Sequence, residues 1–253
     1  METNRLKISA LQMDIDWATP EANAARAAKA IAENSGSDIY VLPEMWSTGF
    51  ATEPKGIAES DERSLNWMKK MAQQTGAAIA GSVATEVGAN DFRNRFYFVK
   101  PSGEVAYYDK HHLFTYGGEH HRYTAGQEST IVEYKGVRFL LRVCYDLRFP
   151  LWNRNHEDYD CALFVASWPT PRVEAWRTLL RARAIENQCY VVGVNRVGTD
   201  PACQYCGGTA LIDPYGQTIQ ECQRGQEELI TTEIDMQALE AFRQKFPVLK
   251  DRD

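Results

Sequence analysis

No stretch of the 253-residue sequence reaches the roughly 20 consecutive apolar residues that a membrane-spanning helix needs. Basic residues are outnumbered, 28 against 34 acidic, giving a net charge of −6. The sequence therefore has no basic stripe for nucleic acid or an anionic membrane, and neither is expected as a partner. Low-complexity tracts, Pro-rich linkers and repeats of roughly 20–50 residues are missing too. The N-terminal METNRLKISALQMD runs straight into an alternating strand pattern rather than a signal peptide, so a cytoplasmic location is expected.

Histidine is scarce, with five residues. Four of them form two adjacent pairs, His111-His112 and His120-His121, which read as loop residues on a rim rather than as one oriented base. The six cysteines lie at 144, 161, 189, 203, 206 and 222, and a long cytosolic chain is a poor setting for a disulfide framework. Cys161 and Cys189 each adjoin an apolar strand and read as small buried hydrophobes. Cys203 and Cys206 have the spacing of half a zinc site, but no second CxxC or HxxxH completes it, so no metal is expected. Nor does the pair have the strand–CxxC–helix placement of a thiol redox motif.

What is present alternates. LKISALQMDI reads as a strand, PEANAARAAKAIAEN as a helix begun by Pro20, DIYVLPE as a short strand, and SDERSLNWMKKMAQQTG as a helix stopped by Gly76. Strands follow at 77–84, 92–100 and 104–110, then VRFLLRVCYD and CALFVASW, then a long helix at 173–188. YVVGVNRVG, GTALIDPYG and QTIQEC close the core as strands. Helices between apolar strands imply helices on both faces of the sheet system. Consecutive strands with no helix between them do not fit a purely parallel sheet. The expectation is an α/β fold, a four-layer α-β-β-α sandwich with mixed sheets, as one domain over residues 1–253.

Three apolar strands end in a chemically active side chain: Glu44 after DIYVLP, Lys110 after EVAYYD and Cys144 after VRFLLRV. A strand-end Glu or Lys is ordinarily solvated, and an unpaired cysteine is ordinarily core. Three together, at the strand ends where open α/β sheets bind ligands, form a candidate site.

The segments LPEMWSTGF (42–50), YDKHHLF (108–114) and CYDLRFP (144–150) resemble, in order and spacing, the three signature segments of the nitrilase superfamily, the carbon–nitrogen hydrolases. The likeness extends through SWPTPR, RARAIENQCYVVGVNRVG and DPYGQTI. It implies a nitrilase-like sandwich, no cofactor, and a Glu44-Lys110-Cys144 triad that hydrolyses a non-peptide C–N bond through a thioester. KHHLF…GGEHHRYTAG and CYDLRFPLWNRN most resemble the bacterial omega-amidases, which hydrolyse the terminal amide of 2-oxoglutaramate or 2-oxosuccinamate. The alternatives are a deaminated-glutathione amidase, an N-carbamoyl amidohydrolase, a nitrilase, or a scaffold that has kept the fold without catalysis.

On that resemblance Cys144 attacks, Glu44 takes the thiol proton, and Lys110 both faces the oxyanion and lowers the thiol's pKa. The Tyr145 N–H is the second oxyanion donor if the turn after Cys144 opens a helix. Glu119, behind Gly117-Gly118, orients the amide or Lys110. Arg172 is the candidate cation for a substrate carboxylate, against the alternative of pairing with the helix that follows it. Phe50 and Trp168 are candidate pocket walls. Arg148 is expected to pair with Asp146 or a neighbouring carboxylate and brace the nucleophile turn. A homodimer is expected through the 173–188 helix, with Trp176 and Leu180 on its circumference.

Overall fold

The computed structural model describes residues 5–252. The first half of the chain runs β1 (Arg5–Gln12), α1 (Pro20–Glu33), β2 (Ile39–Val41), α2 (Arg63–Thr75), β3 (Ala78–Gly88), β4 (Asp91–Val99) and β5 (Val105–Asp109). Next come β6 (Ile131–Tyr134), β7 (Val137–Val143), β8 (Cys161–Ala166), α3 (Val173–Asn187) and β9 (Tyr190–Asn195). The rest is β10 (Val197–Thr199), β11 (Gln204–Cys206), β12 (Ala210–Ile212), β13 (Thr218–Glu221), β14 (Glu228–Asp235) and α4 (Met236–Lys245).

Two mixed sheets of six strands result, ordered β14-β1-β2-β3-β4-β5 and β13-β12-β9-β8-β7-β6. They face each other, with the Phe98 ring of β4 5.8 Å from that of Phe139 on β7. Strand alternation sorts the first sheet's side chains. Ile8, Ala10, Ile39, Val41, Ala78 and Ala80 join the cluster shared with the second sheet. Leu11, Tyr40, Ile79 and Val83 pack instead with Ala27 and Ile31 of α1 and Leu65, Met68 and Ala72 of α2. Both faces of these strands are buried, so they read as nearly unbroken apolar runs.

On the other side, α3 lays Trp176, Leu180 and Ala184 against the second sheet. Gly193 of β9 permits that approach, because a Cβ there would lie 2.4 Å from Leu180. The layers are α-β-β-α, as expected.

The burial of Trp176 and Leu180, both fully enclosed, corrects the reading that they lie on the circumference of α3. The exposed apolar residue of this helix is Ile185, at 55%. YVVGVNRVG is likewise not one strand. β9 ends at Asn195, and β10 pairs with β11 in a separate hairpin. The break falls at Arg196, whose buried guanidinium donates to the Val197, Ile15 and Thr199 carbonyls and pairs with Asp14. β14 and α4 lie in a segment where the sequence reading assigned no element. Among the described residues, no helix is long and apolar enough to cross a membrane.

Candidate active site

Glu44 lies three residues beyond the last residue of β2, and Lys110 follows β5 directly, both in the first sheet. Cys144 follows β7 of the second sheet directly. The sandwich brings all three together at the strand ends where its two sheets meet. Glu44 is fully buried and Lys110 is 1% exposed. The Lys110 Nζ donates to Glu44 Oε1 at 3.0 Å and to Glu119 Oε2 at 2.8 Å, so Glu119 belongs to the same cluster. An ammonium between two carboxylates has most of its donor capacity met without water.

Further donors hold the carboxylates in place. Ser167, just after β8, gives its N–H to Glu44 Oε2 at 2.8 Å, and the Phe114 N–H meets Glu119 Oε2 at 2.6 Å. Asn94 of β4 donates to both, at 2.7 Å to Glu44 Oε1 and 3.2 Å to Glu119 Oε1. The sequence reading passed over Asn94, although a signal was there. In FRNRFYF the inward positions of the strand are Phe92, Asn94 and Phe96, and an amide in an apolar register calls for buried partners.

Cys144 itself is strained. Its φ of +46° lies in the left-handed region, which is costly for a side-chain-bearing residue. It opens a five-residue 3-10 helix, Cys144–Arg148, so the Tyr145 N–H falls in a first turn, where such groups lack a helical partner. Asp146 clamps this turn. Fully buried, it accepts from the Val143 N–H (3.1 Å), the His112 N–H (2.9 Å) and the Tyr108 hydroxyl (2.8 Å), with His112 Nδ1 at 2.9 Å.

That geometry corrects the expected pairing of Arg148 with Asp146. Residues two apart on a helical turn do not face each other. Asp146 points inward, while Arg148 reaches the cavity and lies 5.0 Å from the Trp168 ring. The histidines stay out of the cluster, as expected. His111 stacks on Trp152 and His112 on Phe149, with centroids 3.8 and 3.6 Å apart.

Burial sets the protonation pattern. Desolvation alone would pull Lys110 down, but Glu119 and then Glu44 outweigh it and hold the ammonium well above the usual lysine range. Desolvation pushes Glu119 up, and Glu44 adds to this against the opposing pull of Lys110. The Cys144 thiol is pushed well up by burial first and by the Glu44 charge second. Lys110 does pull it down, but not far enough, so the expectation of a lowered thiol pKa is corrected. At neutral pH the resting thiol is protonated. For Asp146, hydrogen bonding led by His112, with the Arg142 charge, overcomes desolvation and holds the carboxyl below its usual value.

A lowered folded-state pKa means that Asp146 stabilises the fold above its ordinary value of 3.8, and that this is lost as pH falls through the lowered value. Asp146→Asn would turn an amide N–H toward at least one of these donors. We expect a loss of about 2 kcal/mol at pH 7, read as a fall in Tm, with the difference from wild type shrinking as the pH falls below 3.8 and through the lowered value.

Beside the cluster opens a small recess of about 50 Å³. Cys144, Tyr145 and Ser167 contribute polar groups, while Phe50, Phe114, Trp168 and Tyr205 form its aromatic walls. Arg148 and Arg172 line it as well. Arg172 does not pair with the helix it precedes. Its guanidinium lies 5.3 Å from the Phe114 ring and 5.9 Å from that of Tyr116. Cys203, carried by the loop between β10 and β11, is also in the wall, while Cys206 is buried beside it. A thiol in the wall of a small, mostly apolar recess, with a carboxylate and an ammonium buried behind it, is the equipment of acyl transfer through a thioester.

The chain belongs to the carbon-nitrogen hydrolase family, whose model matches residues 7–244. Among its relatives, the omega-amidase YafV of Escherichia coli K12 is 46% identical over 98% of this chain and 97% of its own. The 2-oxoglutaramate amidase of Bacillus subtilis is 39% identical over 96% of each chain. The crystal structure of XC1258 from Xanthomonas campestris, a CN-hydrolase superfamily protein with an arsenic adduct in its active site, superposes with a TM-score of 0.95. It shares 43% identity and covers 98% of this chain and 97% of its own.

Proposed function

We propose that the protein is an omega-amidase, hydrolysing the terminal amide of a small 2-oxo dicarboxylate monoamide such as 2-oxoglutaramate to the 2-oxo acid and ammonia. One observation carries this reading: the recess holding Cys144 is also lined by the guanidinium of Arg172, which has no carboxylate partner among the described residues. A negatively charged substrate would otherwise lose its hydration to apolar walls without compensation. The two curated relatives act in the same direction by name.

In this mechanism Glu44 takes the Cys144 proton as sulfur attacks the amide carbon. Burial and the Glu44 charge push the thiol up, so Glu44 must take its proton for the sulfur to attack. Lys110 and the Tyr145 N–H stabilise the oxyanion. Collapse of the tetrahedral adduct breaks the C–N bond, and the proton on Glu44 leaves with the nitrogen as ammonia. A water then gives its proton to Glu44 and attacks the thioester; collapse expels the sulfur, which regains the proton. Glu119 keeps Lys110 charged and aimed at this point. No metal or organic cofactor enters any step.

A panel of 2-oxo acid amides, neutral amides, nitriles and N-carbamoyl amino acids, scored by ammonia release, tests the assignment. The 2-oxo acid amides should lead in kcat/KM, and a preference for another class would replace the reading. Lys110→Ala should lower kcat at least ~10²-fold, as loss of an oxyanion donor does. It should also destabilise the fold, because it leaves Glu44 and Glu119 sharing Asn94 with no cation between them. Retention of more than about half the activity would remove Lys110 from the mechanism. Arg172→Ala should raise KM for 2-oxoglutaramate ~10-fold or more over any change for a neutral amide. Equal weakening of both would make Arg172 structural.

The six cysteines are all free, which suits the reducing cytoplasm proposed as the location. A homodimer through the α3 face completes the proposal. Ile185 (55% exposed), Tyr215 (59%) and Ile219 (44%) are the large apolar residues left exposed on α3 and around β13. Light scattering at micromolar concentration should give twice the chain mass; a monomer would reject the dimer.

A further inference from the structure

The buried and half-buried arginines elsewhere among the described residues are answered. Arg138, Arg183 and Arg243 pair with carboxylates, and Arg142 donates to Asn153, Ser129 and the Trp152 carbonyl. Arg148 and Arg172 differ. Both line the recess above Cys144, and neither guanidinium has a carboxylate partner or hydrogen-bond acceptor among the described residues. Each is laid on an aromatic face instead, an arrangement that leaves the in-plane N–H donors free. No carboxylate lines the recess.

Trp168 organises the two. Arg148 rests 5.0 Å from its ring, and its indole N–H donates to the Arg172 carbonyl at 2.8 Å. The two cations thus approach the recess from different elements, one from the nucleophile's own 3-10 helix and one from the start of α3. The Arg148 backbone is held in register with Cys144, because Asp146 clamps the turn and Arg183 donates to the Leu147 carbonyl at 2.7 and 3.0 Å.

One guanidinium is enough to fork a carboxylate, so the second needs another explanation. In 2-oxoglutaramate the group beside the carboxylate, one bond nearer the reacting amide, is a ketone oxygen, a pure acceptor. In glutamine, which has the same chain length, the same amide and the same carboxylate, that position carries an ammonium, a pure donor with positive charge. A guanidinium has donors only. It satisfies the ketone and opposes the ammonium by charge and by hydrogen-bonding sense alike.

We propose that Arg148 is a specificity-determining residue that reads the 2-oxo oxygen and excludes α-amino acid amides, glutamine and asparagine, from the catalytic recess. This rests on the 2-oxo acid amide reading above. The test measures kcat/KM for 2-oxoglutaramate, glutamine and pentanamide, a neutral reference that needs neither arginine, in wild type, Arg148→Gln and Arg148→Lys. Wild type is read first. If it does not prefer 2-oxoglutaramate to pentanamide, the substrate reading fails and this inference falls with it.

Given that preference, Arg148→Gln should lower the 2-oxoglutaramate-to-pentanamide ratio ~10-fold or more and raise the glutamine-to-pentanamide ratio at least ~3-fold. Arg148→Lys, which keeps the charge but loses the planar fork, should lower the first ratio and leave the second near wild type. Ratios in Arg148→Gln within about twofold of wild type would overturn the inference. So would parallel losses for 2-oxoglutaramate and glutamine, which would mean that Arg148 reads only the carboxylate the two share. Should Arg148→Gln not fold, Arg148→Lys decides: admission of glutamine, or an unchanged first ratio, overturns the proposal.

Discussion

Cys144→Ala is expected to abolish ammonia release from every amide, by at least ~10⁴-fold, while the protein remains folded. The recess offers no substitute nucleophile in the right place. Cys203 is in its wall but comes from the β10–β11 loop, and it is Cys144 that interacts with Glu44, Lys110 and Glu119. The fold should tolerate the change, because a thiol contributes little apolar area and the strained turn is held by Asp146, not by the Cys144 side chain. Cys144→Ser should be nearly as inactive. A hydroxyl is far harder to deprotonate than a thiol, and burial and Glu44 already push even the thiol upward. Ammonia release by a coupled assay, beside a thermal melt, separates lost chemistry from lost folding. Substantial turnover in a folded Cys144→Ala would end the thioester account.

Glu44→Gln should be close behind, with kcat lowered ~10³-fold or more. General base catalysis contributes ~10²–10⁴ in a single step, and here the same carboxylate serves acylation and deacylation. The substitution keeps the shape but not every contact. Asn94 and Lys110 can still donate to an amide oxygen at Oε1, but the Ser167 N–H, now 2.8 Å from Oε2, would meet an amide N–H. A modest drop in Tm is expected with the loss of activity. If Glu44→Gln retained more than about half the activity, proton transfer would have to pass through Glu119.

The layered fold and two of the three strand-end residues were legible in the sequence for one physical reason. Strands buried on both faces are written as unbroken apolar runs, so the charged or reactive residue that ends each run stands out. Glu44 and Cys144 are such residues; Lys110 instead closes β5, a half-exposed edge strand, and was legible through the likeness of YDKHHLF to a signature segment. Asn94 was missed because it lies inside a strand, where alternation with arginines disguised an inward amide. β14 was missed because it is an edge strand, half exposed along most of its length, and its pairing with β1 joins the two ends of the chain. Such a non-local partner leaves no local signal. Arg148 was misread because sequence proximity to Asp146 suggested a pair that a helical turn sets on different sides. The thiol's direction was misread because one neighbouring cation was weighed without the carboxylate and the desolvation beside it.

The central claim is a covalent acyl-enzyme on Cys144, and its most direct test is leaving-group independence. Glutaramate and the monomethyl ester of glutarate would deliver the same glutaryl group to the thiol, one expelling ammonia and the other methanol. Both lack the 2-oxo group, so added hydroxylamine attacks only the acyl carbon. With hydroxylamine competing against water, the ratio of hydroxamate to glutarate is fixed by the thioester alone. The account predicts the same ratio from both substrates at every hydroxylamine concentration; ratios that differ between amide and ester would mean that no common intermediate forms, and would contradict it.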